Sequence, residues 1–298
     1  MKRRESLSGL IDFLDYLRKD KTFLIGFSMF TFFLLLGFVV SNFSPYDPRR
    51  WNVAPRELPP CWKYPFGTTT LGQDLFWLIT WGLRNSMMIG IIGSLGGLAI
   101  GVPLGFIAGY KGGYLDRILI LMTDVLLVLP TLILLILIGS IIRAQLNVCA
   151  LGLLISLFTW SGPVRNVRSM VLSLREREFT YTDVFSGFST LKTIFKHYLP
   201  FVFPWMSMAS INRMFMAMGM EVTLAVFGLF TVDEATLGTI LQWAMMYQAL
   251  LRGVYWWLFT PIIILVMLFT SLYLTAVGLN RFLDPRTRIQ RKLGGKMR

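Results

Sequence analysis

The sequence predicts an all-α membrane protein with six transmembrane helices and both termini in the cytoplasm. Three observations carry this expectation. Hydrophobic residues make up 55% of the 298 and charged residues only 15%, a balance that does not fit a soluble globule. Apolar runs long enough to cross hydrocarbon, at about 1.5 Å of rise per residue, recur along the chain. Lys and Arg then alternate between the ends of those runs. Of the 29, 21 fall in segments that inward termini place inside, 7 fall outside, and Arg213 lies within a span.

Residues 1–21 form a cytoplasmic N-terminal segment. Leu10, Phe13, Leu14 and Leu17 fall at helical spacing opposite Asp12, Asp15, Arg18 and Lys19, so the segment reads equally as an amphipathic surface helix or a juxtamembrane lead-in. Residues 22–42 are the first transmembrane helix. Although Lys2, Arg3 and Arg4 precede it, the run is too long for a signal core and lacks a small-x-small cleavage site, so it reads as a retained anchor. Residues 43–85 are an extracytoplasmic loop, ordered by its Pro and Trp content; within it Leu75 to Leu83 is too short to span and, with Trp77 and Trp81, suits the interface.

A five-helix core occupies 86–280. Its first helix, Ser86 to Tyr110, carries Gly93, Gly97, Gly101, Gly105 and Gly109 at four-residue spacing, a spine that lets neighbouring backbones approach closely. Pro103 sits in their midst and is expected to kink the helix unless neighbours satisfy the freed carbonyl. Ile118 to Ile142 follows, with Asp124 and Pro130, then Leu146 to Val164, Phe201 to Phe230 and Leu258 to Leu279. The polar residues inside these runs, Asp124, Asn212, Arg213 and Glu221, are candidate pathway groups. For Asp124 a structural role at the interface is favoured. Arg213 and Glu221 are eight residues apart, about 12 Å of rise, so each needs its own water, cavity or helix. For Arg213 we expect a partner acid on another helix or subunit.

Two polar segments complete the core: a cytoplasmic loop at 165–200 and an extracytoplasmic loop at 231–256. The first carries Arg165, Arg168, Arg175, Arg177, Lys192 and Lys196 with Glu176, Glu178 and Asp183, and Gly187 divides it into two helical segments. Residues 281–298 are a basic cytoplasmic tail that ends in disorder.

Several chemistries are missing from the sequence. The net charge of +13 sits at the ends of apolar runs rather than on a polar face, which disfavours nucleic acid. The single GGK, at Gly294 to Lys296, is followed by Met and cannot be a phosphate loop. One histidine, His197, excludes a two-histidine zinc helix, and its basic surroundings point to a surface position. Cys61 and Cys149 read as two free thiols or as a chance pair on the outer side. No Gly-x-Ser-x-Gly elbow appears, and Asp124 lacks a nearby intramembrane acid, so a membrane enzyme is disfavoured.

Four patches resemble a known family. Tyr64 to Ser86, YPFGTTTLGQDLFWLITWGLRNS, is similar to PFGTDxLGRDxxSRxxxGxRxS, with Gln73 in place of the usual Arg. Ala108 to Pro130 resembles AGYxGGxxDxxxMRxxDxxxxxP, including Asp116 and Asp124. Leu172 to Pro200 resembles LSLREREFxxAARxxGxxxxxIxxxHxLP. Glu221 to Leu229 with Trp256, Trp257, Pro261 and Leu283 to Arg286 resembles ExxLxFLGLG, WWxxxxPG and LDPR. Together they resemble the C-type inner-membrane permease subunits of the ABC importers for dipeptides, oligopeptides and nickel.

The resemblance implies a type I ABC importer permease architecture and a set of partners: a homologous B-type permease, two ATPase subunits that bind ATP and Mg, an extracytoplasmic binding protein, and the lipid bilayer. No cofactor is expected on this chain, which is not an enzyme. It assigns ATPase coupling to Arg177, Glu178, Phe179, Tyr181, Asp183, Phe185, Gly187, Phe188, Leu199 and Pro200, with the four aromatics as apolar anchors. It also assigns an outer-loop signature to Pro65, Phe66, Gly67, Thr68, Leu71, Gly72 and Asp74. Tyr181, Thr182 and Asp183 stand where the family has Glu-Ala-Ala, and Arg213 where it is usually uncharged. The rival reading is a self-sufficient channel or ion-coupled carrier whose polar path is Asp124, Arg213 and Glu221.

Overall fold

A computed structural model describes residues 20–141, 147–228 and 234–283; of Asp183, Val184 and Leu283 the backbone alone is described. The proposed N-terminal amphipathic helix, residues 284–298 of the basic tail and the Asp183 side chain therefore lie outside the described residues, while residues 281–283, placed in the tail, continue the last helix.

Helix α1 (Lys21–Phe38) is capped by Asp20, whose carboxylate accepts from the Thr22 and Phe23 amides at 2.9 and 3.3 Å. A 3₁₀ turn (Val40–Phe43) leads into an ordered loop. There the expected signature residues act as a clasp. Thr68 receives the Leu58 amide on its hydroxyl at 2.8 Å, and its carbonyl accepts from Trp256 Nε1 at 3.0 Å. Gly67, at φ 78°, lies so close to that indole that a Cβ would come within 2.7 Å of it. Gln73, in place of the family's Arg, is buried and donates to the carbonyls of Pro48 and Arg49. Asp74 accepts from Tyr46 Oη at 2.8 Å and from the Phe76 amide at 3.0 Å. Burial pushes the Asp74 carboxyl above its usual range while those donors oppose the shift.

That Asp74 cap starts α2 (Leu75–Lys111), an unbroken helix of 37 residues. Leu75 to Leu83 is thus not a separate interfacial element. It is the first part of the span, with Leu75, Leu78, Ile79 and Leu83 fully buried in the largest apolar cluster, beside Leu237, Ile240, Trp257 and Leu268. Sequence reading placed the start at Ser86 because Trp77 and Trp81 fit an interface; Trp81 instead donates to the Ser41 carbonyl at 3.1 Å.

The next two apolar runs are both broken. Helices α3 (Gly113–Val128) and α4 (Thr131–Ile141) meet at 81°, and α5 (Val148–Thr159) and α6 (Ser161–Arg175) meet at 46°. Each break lies beside a proline, Pro130 and Pro163, which removes one helix amide and crowds the preceding turn. Helix α7 (Glu178–Phe185), α8 (Thr190–Thr193) and a π turn (Ile194–Tyr198) follow, then α9 (Leu199–Val226), α10 (Leu237–Met246) and α11 (Tyr255–Leu283). Among the described residues, three helices are long and apolar enough to cross a membrane, or up to five if each bent pair counts as one span. Among the described residues there is no strand, only an isolated bridge between Thr68 and Asp74. Cys61 and Cys149 are both free and exposed.

The glycine row of α2 faces the broken pair. Gly93 meets Ala217 of α9 and Ile155 of α5; Gly97 meets Thr159 and Arg213; Gly101, Gly105 and Gly109 meet α6. A row at four-residue spacing is inclined by about 26° to its helix axis, so a straight partner would leave it. Here α5 takes the first half of the row and α6 the second.

Candidate functional site

The segment from Arg175 to Pro200 is built around Tyr198, which is fully buried. Its ring packs 5.9 Å from Tyr110 and 6.3 Å from Phe179, and its hydroxyl lies 3.1 Å from Thr180 Oγ1. Thr180 also donates to the Leu174 carbonyl at 2.9 Å, folding α7 back on the end of α6. Arg175 donates to the Gly109 carbonyl at 3.2 Å, placing a cation on the C-terminal turn of α2. Phe179 stacks on Phe201 at 6.0 Å and on His197 at 5.6 Å, and Arg177 covers the other ring partner, Phe201, at 5.6 Å.

One face of α7 is therefore locked inward, and the other is bare. Tyr181 is 56% exposed and Phe185 90%, one helical turn apart, with Glu178 exposed beside them. Gly187, at φ 69°, ends the segment where a side chain would meet nothing; its conformation needs glycine, its surroundings do not. Ser189 caps α8, accepting from the Lys192 amide. Leu199 and Pro200 open α9, where a missing amide costs no helix bond. A cleft of about 510 Å³ opens beside Tyr181, between Tyr110, Leu172, Arg175, Glu176 and Thr180.

Two of the four expected aromatic anchors need correction. Phe179 points into the fold, and Phe188 is half-buried beneath the ammonium groups of Lys192 and Lys196, 3.9 and 4.6 Å from its ring centre. His197 is half-buried rather than a surface residue. The period of one short amphipathic turn could have separated Tyr181 and Phe185 from Phe179, but the inward partner Tyr198 lies nineteen residues from Phe179 and left no sequence signal.

The candidate pathway residues do not come together. Asp124 of α3 pairs with Arg165 of α6. Asn212 is exposed on α9. Glu221 is fully buried; its Oε2 accepts from Ser86 Oγ at 2.9 Å, and that hydroxyl in turn accepts from the Leu237 amide at 3.0 Å, so the acid serves the N-terminus of α10.

Arg213 donates to the Thr159 carbonyl, and among the described residues it pairs with no carboxylate, contrary to the expected acid partner. The reason lies in Pro163. In a continuous helix the Thr159 carbonyl would accept from the amide four residues on, which proline lacks. The guanidinium replaces it. We expect the two positions to be coupled: the effect of Arg213→Leu on thermal stability in detergent should be about 1 kcal/mol less favourable with Pro163 than with Pro163→Ala. Additive effects in the double-mutant cycle would show that Arg213 does not serve that carbonyl.

Comparison with known proteins places this arrangement. Residues 101–289 match the family described as the binding-protein-dependent transport system inner membrane component. The chain belongs to that family. As a member it is a multi-pass plasma-membrane transport subunit and not an enzyme, and its family works in ABC importers together with a partner permease, an ATPase and a binding protein. It is 28% identical to the dipeptide transport system permease protein DppC of Bacillus subtilis over 96% of this chain and 88% of that one. It is 33% identical to the oligopeptide transport system permease protein OppC of Mycobacterium bovis over 87% of this chain and 90% of that one. The fold is similar to a chain of the MetNI methionine ABC transporter in an inward-facing form, with a TM-score of 0.51 and 19% identity, over 70% of this permease and 95% of that chain.

Proposed function

We propose that this permease spans the membrane six times with both termini inside. It forms the translocation pathway with a homologous B-type permease and is driven by two ATPase subunits docked on α7. ATP and Mg are bound by those subunits, and this chain holds no cofactor. A binding protein delivers substrate to the 43–85 loop. The names of the relatives, dipeptide and oligopeptide permeases, support di- and oligopeptides as substrate.

The observation that carries the coupling role is the two-faced α7. Its inward side is fixed on Tyr198, so a push on Tyr181 and Phe185 is delivered to α6 and α9 rather than absorbed in a loose loop. Exposed aromatics one turn apart are also what a groove on a partner needs for anchors. The carrier reading is weaker because Asp124, Arg213 and Glu221 serve separate partners.

Mild extraction of the native complex is expected to recover an ATPase with this chain. Proteoliposomes holding all the partners should accumulate labelled dipeptide or pentapeptide only with ATP. Flux from this chain alone, without ATP, would overturn the proposal.

A further inference from the structure

Helix α3 is weakly attached to the rest of the chain. Of its sixteen residues, Thr123 alone is buried; Leu115, Leu121, Leu127 and Val128 stand exposed, and Leu119 and Leu126 are half-buried. Apolar packing therefore does little to fix its position within this subunit. What ties it to α6 is charge. Arg168 forks onto Asp116, Nε to Oδ1 at 2.5 Å and Nη2 to Oδ2 at 2.7 Å, and Arg165 donates to Asp124. Asp116 and Asp124 are eight residues apart on α3, Arg165 and Arg168 three apart on α6, and the order is antiparallel: the earlier acid takes the later base. The pairs make two rungs between one broken span and the other.

We propose that these rungs are the link through which movement of α7 reaches α3 and the 81° bend that follows it. The inference rests on the coupling role given to α7 above. The path is short. Helix α6 ends at Arg175, and Thr180 holds α7 to its last turn, so α6 moves with α7. A planar bidentate fork resists both sliding and rotation, which a greasy contact between the same two helices would permit. Partly exposed ion pairs add little to stability, so the rungs are suited to fixing register and not to holding the fold together. Asp116, Asp124, Arg165 and Arg168 are thus positioning residues. None of them is expected to touch substrate.

The test uses the full complex in proteoliposomes, with ATP hydrolysis and peptide uptake both normalised to assembled complex. Asp116→Asn and Arg168→Gln, separately, are expected to keep hydrolysis near the native rate while uptake per ATP falls on the order of five- to tenfold. Asp124→Asn is expected to act in the same direction. Exchanging the charges, Asp116→Arg with Arg168→Asp, should restore part of the uptake, a recovery that mere loss of folded protein cannot give. Native uptake in the single variants would overturn the link. So would an equal fall in hydrolysis and uptake, or an exchanged pair no better than the singles. If instead alanine at Tyr181 and Phe185 leaves docking and uptake intact, the coupling role of α7 has failed and the rungs lose their input. Normal rung variants beside a defective α7 variant would overturn the rungs alone.

Discussion

Alanine at Tyr181 and Phe185 together is expected to leave the permease folded and inserted but unable to hold its ATPase. Neither side chain supports the fold: both are exposed, and the inward contacts of α7 belong to Phe179 and Thr180. Each aromatic that becomes buried in a docking groove is worth about 2 kcal/mol, so losing both weakens docking on the order of a hundred- to a thousandfold. The measurement is co-purification of the ATPase with the variant, alongside ATP-driven uptake, with unchanged melting of the isolated subunit as control. Phe179→Ala should behave differently. It removes a stacked ring from under Phe201 and His197, and is expected to lower the melting temperature of the subunit as well. Full ATPase recovery with the double variant would remove α7 as the docking element.

Valine at Gly101 is expected to be strongly damaging to the helix packing. A Cβ there would come within 2.5 Å of the Trp160 carbonyl oxygen and 2.6 Å of Pro163 Cβ. The first neighbour is backbone at the break between α5 and α6, which cannot swing aside as a flexible side chain would. Overpacking of this kind costs about 3 kcal/mol, at the upper end of the usual range, and pushes α6 off α2. The variant should melt earlier in detergent and yield less assembled complex. Gly219→Ala is the matched control: nothing lies within 4 Å of its Cβ position, and alanine favours helix by about 1 kcal/mol. Equal effects at the two positions would mean that close approach is not why Gly101 is glycine.

Much of the fold is legible in the sequence. The glycine row was visible as a packing face, and Asp74 is an N-cap signal directly before Leu75. The aromatic residues after it drew attention to the interface and hid that signal. The spans read as Ile118–Ile142 and Leu146–Val164 are instead broken beside Pro130 and Pro163; a proline says where a helix loses a bond and not how far it turns, and the angles of 81° and 46° depend on what packs against each half. At the site, the polar α7 and the positive φ of Gly187 could be read locally. Helical period separates Tyr181 and Phe185 from Phe179, but which of the two faces turns inward depends on Tyr198.

Composition and the length of the apolar runs are enough to make this a helical membrane protein. Transfer of a segment into hydrocarbon is close to a sum over its own residues, so composition and run length suffice. The partners of the charged residues come instead from the way the helices pack. Arg165 and Asp124 are 41 positions apart, Arg168 and Asp116 are 52, and Arg213 serves a carbonyl 54 positions away. A buried or half-buried charge must find a partner, but which one depends on the helices that end up side by side, and that is set by the packing of the whole chain.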